Sequence, residues 1–230
     1  MSTRKNIGTK NESSLHRTLK FQYAGPEGKT EVETGGYVAD GIRKDGEYIE
    51  VQTGSFAPLK KKVKEFAAHG KVRIIHPIAA AKKIEVYAPG RGKKPLYSRK
   101  SPQKKSLWNL FDALVHAPEL PLTRGLTIEV VMVDITEKRV KDGKGSWRRK
   151  GISLKDRSLS AWHESVLFKK PADFLQFVPF KKKEEFTCAS LAERENVDLS
   201  TAQKVLYVLN KLKVVDRIGK KGNSWVYVRK

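Results

Sequence analysis

Tyr37-Val-Ala-Asp-Gly-Ile-Arg-Lys-Asp-Gly-Glu-Tyr-Ile-Glu-Val-Gln52 holds two apolar runs joined by Lys44-Asp45-Gly46. Asp-Gly between alternating apolar residues is a strong short-range hairpin signal. A three-residue loop with Gly46 in the left-handed region sets Asp40 directly opposite Glu50, their Cβ atoms about 5 Å apart on one face. A one-residue slip would send them to opposite faces. Two carboxylates held that close repel each other unless a cation sits between them. The cation they suit is hard and oxygen-seeking, Mg²⁺ or Mn²⁺. On the second strand Ile49 and Val51 face one way, and Tyr48, Glu50 and Gln52 the other. The hairpin is expected over roughly 31–53.

Ahead of it, Asn11 is placed to cap a helix from Glu12 to about Gln22, with Leu15 and Leu19 on one stripe. Glu12 and His16 share that stripe, so the helix carries a carboxylate inward. His16, one turn from Glu12, is within reach of the acids but reads first as a partly buried structural histidine. Glycine and proline at 25–28 end the helix. Beyond the hairpin, Ser55 or Gly54 opens a second helix with Pro58 in its first turn. Leu59, Val63, Phe66 and Ala67 form its apolar stripe, and lysines crowd the rest. Residues 72–78 read as a strand and 84–87 as another. Strand, helix, strand in that order implies a right-handed crossover. The expected class is α/β (α+β), a mixed central sheet flanked by helices.

The chain has 230 residues, with 47 Lys and Arg against 25 Asp and Glu, a net charge of +22. Such an excess points to a polyanionic partner, most often nucleic acid. One cysteine, Cys188, excludes an internal disulfide and any cysteine-built zinc site, and reads as a small core residue. Residues 1–10 read as a flexible basic arm, not a signal peptide. No apolar run approaches the roughly 20 residues a membrane helix needs. A soluble cytoplasmic protein is expected.

From Pro89 to Lys105 there are seven basic residues and no acidic one, a basic loop or ordered arm. Ser106 is placed to cap a helix to about His116, and Leu126 to Thr136 reads as a strand. Helical or mixed structure is expected from the basic turn at 141–151 to about Phe180. Lys181-Lys-Lys-Glu-Glu185 marks a break in composition. After it come a short helix at Leu191, a turn at 196–199 and a longer helix capped by Ser200. A strand (214–218), a turn (219–223) and a second strand (225–228) complete the plan of a winged helix. The expected division is 1–10, 11–180 and 181–230.

Glu12, Asp40 and Glu50-Val51-Gln52, in this order and context, resemble the PD-(D/E)XK nuclease superfamily over about residues 11–80. That family sets an acid on a helix, an Asp at a strand end, Glu-x-Lys on the paired strand, then a helix and a strand. The resemblance implies a restriction-endonuclease-like domain in which Asp40, Glu50 and the Val51 carbonyl hold one or two Mg²⁺. Glu12 would orient a water, a second metal or its ligand. Here Ala39 precedes Asp40, and Gln52 replaces the lysine. Glutamine cannot take a proton but can hydrogen-bond water or a phosphate oxygen. Lys60 or Lys64 on the next helix is placed to supply the missing charge.

Gly145-Ser-Trp-Arg-Arg-Lys-Gly151 joins Trp147 to Arg148, Arg149 and Lys150. Arginine grips phosphate bidentately and tryptophan stacks on unpaired bases; the bland alternative folds Trp147 back on the domain. In the last unit Thr201, Lys204, Tyr207 and Lys211 are expected outward on the helix that would enter a major groove, with Lys220 and Lys221 on the wing. The leading expectation is a Mg²⁺-dependent endonuclease acting on double-stranded DNA, a homodimer if both strands are cut. The alternative is a non-catalytic DNA-binding protein or regulator with a degenerate nuclease domain; an RNA-binding protein is a third.

Overall fold

Residues 12–90 and 94–230 are described in the computed structural model, so the basic arm at 1–10 and the Asn11 cap lie outside the described residues. Ser13 caps the first helix, α1 (Ser14–Ala24), accepting from the His16 amide at 3.3 Å. Asp156 also holds this helix start, accepting from the Ser14 amide at 2.8 Å and hydroxyl at 2.6 Å.

Three strands follow, β1 (Lys29–Thr34), β2 (Tyr37–Ile42) and β3 (Tyr48–Val51), all antiparallel in succession. A first turn inside the expected 31–53 hairpin is made by Gly35 and Gly36 at φ +57 and +80. Two successive positive φ values are what a two-residue type I′ hairpin demands. The second turn has the expected length. The Arg43 amide donates to the Glu47 carbonyl and the Gly46 amide to the Arg43 carbonyl, both at 3.0 Å, with Gly46 at φ +82. Gly41 pairs with Ile49 and Ile42 with Tyr48, a register that continues to Asp40 opposite Glu50.

α2 (Leu59–His69) starts one residue after Pro58, which is its N-cap. It leads to β4 (Val72–Tyr87), a single strand of 16 residues rather than two short ones. β4 runs parallel to β3 and to β6 (Leu126–Val140), which itself continues beyond Thr136. β5 (Tyr97–Lys100), inside the expected basic loop, pairs with the far half of β4. Helical or mixed structure was expected after residue 151; instead β7 (Ser153–Phe168) runs antiparallel to β6. The result is a mixed seven-stranded sheet in the order β1-β2-β3-β4-β6-β7, with β5 on the side of β4 that short β3 leaves open.

Helices cover both faces. α1 packs Leu15 and Leu19 on Ile49, Val51, Ile75, Val131 and Val133. The other face takes α2 and α3 (Leu110–Leu114), which is shorter than expected because a 3-10 turn occupies 107–109. This second core does not stop at residue 180. It continues through Phe174, Phe177 and Phe180 into Leu191, Val205, Leu206 and Leu209. Those last residues lie on α4 (Cys188–Arg194) and α5 (Leu199–Lys211), which precede the hairpin of β8 (Val215–Lys221) and β9 (Ser224–Arg229). Asp198, not Ser200, caps α5, accepting from the Thr201 amide at 2.9 Å. Cys188 is only half buried, at the start of α4. Arg229 ties the hairpin to the Val178 and Phe180 carbonyls at 3.3 and 2.8 Å.

Candidate active site

The β2–β3 ladder ends where the two acids stand, and their side chains take over its hydrogen bonds. The Val51 amide donates to Asp40 Oδ2 at 2.8 Å, and the Asp40 amide donates to Glu50 Oε1 at 3.2 Å. On the outer side of β2, Glu31 would pair with Asp40 but adopts φ +55, and the β1–β2 pairing skips it. A non-glycine residue in the left-handed region costs of order 1–3 kcal/mol, and such strain clusters at functional sites.

Each acid has one cationic partner. His16 Nε2 lies 3.1 Å from Asp40 Oδ2. Lys62 Nζ lies 2.6 Å from Glu50 Oε2. Burial alone would lower the His16 pKa, but the hydrogen bond and charge of Asp40 raise it above the ordinary value. Burial likewise pushes Asp40 up, and His16 with the Val51 amide outweighs it, so this carboxyl sits below its usual range. Glu50, 2% exposed, goes the other way. Burial and the neighbouring Asp40 charge push its pKa up to about 7 despite Lys62. One acid is held ionised and the other is poised to titrate near neutrality.

Glu12 does not join them. Its Oε1 is 2.9 Å from the buried Lys20 ammonium and 3.7 Å from His16 Nε2. Lys20 also pairs with Glu31. Among the described residues no group of three or more His, Cys, Asp or Glu side chains is gathered to hold a metal ion. The convergence expected of Glu12, Asp40 and Glu50 is therefore replaced by a chain of pairs in which His16 stands between Glu12 and Asp40. Gln52 is also diverted: its Nε2 donates to the Ser55 carbonyl at 2.5 Å, bracing the loop before α2. Its own carbonyl oxygen lies 2.6 Å from His76 Nδ1.

Lys62 is a site residue outside the sequence expectation, and His16 takes the less favoured of its two expected places, beside an acid. Lys60 and Lys64 were the expected source of charge, yet both lie exposed on another side of α2. The buried stripe of Leu59, Val63 and Phe66 fixes the helix phase. At 100° per residue Lys62 is the lysine nearest that stripe, so the phase contained the signal. His16 sits one turn from Glu12 on the inward stripe and needed only the partner Asp40 to identify it.

Several expected binding residues, distant in sequence, come together elsewhere. Lys60 and Lys64 of α2 line one groove with Tyr207 and Lys211 of α5 and His116. Lys204 instead pairs with Asp112 at 2.6 Å, locking α5 to α3. Thr201 is not free either, since its hydroxyl donates to Asp198 at 2.6 Å. Lys220 and Lys221 lie exposed at the β8–β9 turn, with Lys220 4.7 Å from the Trp225 ring. Trp147 is not folded back on the domain: it is 83% exposed, beside Arg148 and Lys150. A second, partly apolar cleft is lined by Leu15, Thr53, Val133, Lys82, Lys105 and Arg157. Among the described residues no helix is long and apolar enough to cross a membrane.

No solved structure matches the chain significantly. It is 29% identical over 187 residues to a protein of Treponema pallidum (strain Nichols) described as uncharacterized, covering 81% of this chain and 74% of that one. A family model, the domain of unknown function DUF8091, matches residues 13–169, which run from the Ser13 cap through β7 and include both acids, His16 and Lys62. The chain belongs to the DUF8091 family.

Proposed function

We propose that this protein is a metal-dependent DNA endonuclease with a restriction-endonuclease-like domain and a C-terminal winged helix. The observation that carries the reading is the Asp40–Glu50 pair at the open end of the β2–β3 hairpin, with a lysine delivered onto Glu50 from the next helix. The order α1, β1, β2, β3, α2, β4 supports it, since it follows the helix, hairpin, helix, strand order of the nuclease superfamily that the motif resembles. The helix, helix, hairpin order of α4, α5, β8 and β9 supports the winged helix. Phe186 adds a strand-like pairing there, its amide donating to the Tyr227 carbonyl at 3.0 Å.

The donor set fits Mg²⁺ or Mn²⁺. Asp40, Glu50 and the Val51 carbonyl offer hard oxygens, and burial and Asp40 push Glu50 up to about 7 even with Lys62 at 2.6 Å, so the pair has room for more positive charge. When bound, the metal supplies a water of lowered pKa and neutralises charge on the scissile phosphate. Lys62 is positioned to keep Glu50 ionised and to face the phosphate. His16 holds Asp40 in its ionised form. Double-stranded DNA would be gripped by the basic surface, and cutting both strands would use two copies of the chain. The single half-buried thiol and the polyanionic substrate fit a cytoplasmic protein.

The test is nicking of supercoiled plasmid in Mg²⁺ or Mn²⁺ by the wild type beside Asp40→Ala and Glu50→Ala. Loss of nicking in both variants is expected, and undiminished nicking in both sinks the proposal. The alternative is a DNA-binding protein that keeps the nuclease fold as a scaffold. The diversion of Gln52 to Ser55 and of Glu12 to Lys20 favours that alternative. Tight, salt-dependent binding without cleavage in any divalent metal would select it.

A further inference from the structure

Beyond the core, the sheet keeps going. β4, β6 and β7 are 15 or 16 residues long, against four for β3. The far halves of β4, β6 and β7, together with β5, form a projecting extension. The described residues of 82–105 and of 137–157 carry 16 Lys and Arg against four Asp and Glu, +12 of the chain's +22. The buried Glu137 pairs with Arg139, with Arg157 at 3.1 Å and with Lys82 at 3.6 Å, and so anchors the base of this strip. Three large apolar side chains are exposed at its far end: Trp147 83%, Leu96 59% and Tyr97 46%.

Trp147 sits on a built tip. The Gly145 amide donates to the Gly151 carbonyl at 2.9 Å. Asp142 accepts from the Ser153 hydroxyl at 2.6 Å and from the Lys144 amide at 3.1 Å, and it pairs with Lys155 at 2.9 Å. Any side chain at position 145 would collide with the Ile152 carbonyl. An indole carried on a braced loop loses little freedom on binding.

The register places this tip relative to the acids. Val51 is level with Ile75, and Ile75 with Glu129. From Glu129 to Val140, the last residue of β6, is eleven residues. At about 3.3 Å per residue this is on the order of 35 Å, close to one turn of B-DNA.

We infer that the extension is a second nucleic-acid contact, in which Trp147 stacks on an unpaired base about one helical turn from the acid pair. The inference rests on the nucleic-acid reading above and narrows the substrate to duplex DNA carrying an unpaired or distorted position. The strip neutralises the intervening backbone, and stacking adds preference for a base already out of its pair.

The experiment measures binding without divalent metal, in EDTA. It uses a labelled duplex about three turns long, intact or with one unpaired nucleotide. Wild type is expected to bind the second at least about fivefold tighter. Trp147→Ala should lose that preference and bind the intact duplex unchanged, while Trp147→Phe keeps most of it. Equal binding of the two duplexes by wild type, or an unchanged preference in Trp147→Ala, overturns the inference. So does a change in self-association as the only effect of Trp147→Ala. With Mg²⁺ added, nicks should fall about ten base pairs from the unpaired nucleotide; nicks at no fixed distance overturn the spacing. The binding preference without cutting in any divalent metal would end the nuclease reading and leave the contact standing.

Discussion

Glu50 is the residue on which protonation, stability and the proposed metal binding meet. Its folded pKa of about 7 lies above the ordinary carboxylate value of 4.5, so between those values the folded state binds more protons than the unfolded one. Stability contributed by this group is therefore present at low pH and lost as pH rises through 7. Glu50→Gln is expected to stabilise the metal-free protein at pH above 7 by about 1–3 kcal/mol, with the gain vanishing in acid, as measured by denaturant unfolding. No difference from wild type at alkaline pH would show that Lys62 already offsets the buried charge. For Mg²⁺ the same titration has the opposite consequence, because the carboxylate must be ionised to bind it. Stabilisation by Mg²⁺ should grow as pH rises through neutrality, and a flat profile would remove Glu50 from the ligand set. Lys62→Met should lower nicking by on the order of a hundredfold or more. Lys60→Ala and Lys64→Ala should instead weaken DNA binding alone, each reducing the slope of log affinity against log salt by about 1.

At the scale of elements, the hairpin with its two acids could be read because a short turn fixes its own register. Asp45-Gly46 set the loop length, and loop length sets which side chains stand opposite each other. The long strands could not be read the same way. β4 passes through Ala79, Ala80, Ala81, Lys82 and Lys83, a stretch with no strand-favouring side chain, and it stays extended because β6 pairs with it on both sides of an irregularity at Ala80. β7 is an edge strand with mostly half-exposed residues, so the alternation that marks a half-buried strand is faint. Tertiary pairing decided both segments, and propensity did not. The positive φ of Glu31 was equally out of reach until the core fixed it, whereas the phase of α2 was already written in Leu59, Val63 and Phe66. The tip of the sheet extension, by contrast, depends on local glycine chemistry and can be tested locally. Gly145→Ala should loosen the Trp147 tip through its clash with Ile152, speeding amide exchange at 142–153. Exchange in β3 and in β4 near Ile75 should not change, and a global loss of protection would show that the tip supports the core.

For the whole molecule, the decisive feature is one apolar core that crosses the composition break at 181–185. Phe177 illustrates the continuity. Its ring meets Phe111 of α3 edge-on at 4.8 Å, Trp108 at 5.0 Å and Phe168 at the end of β7 at 5.9 Å. Across the break Phe180 stacks on Phe186 at 4.2 Å, and Phe186 on Tyr227 at 6.1 Å. Lys204 and Asp112 fasten α5 to α3 across the same boundary. A linker would leave the C-terminal unit free to move on its own; this packing instead presents Tyr207 and Lys211 in one groove with Lys60 and Lys64 of α2. Folding should follow the same unity. Phe177→Ala removes a fully packed aromatic and is expected to cost about 3–5 kcal/mol. The loss should register together at β3–β4 and at β8–β9, as a single unfolding transition shifted to lower denaturant. Two separated transitions, or a loss confined to either side of residue 181, would mean that the halves fold independently and that the shared groove is not a fixed feature of the protein.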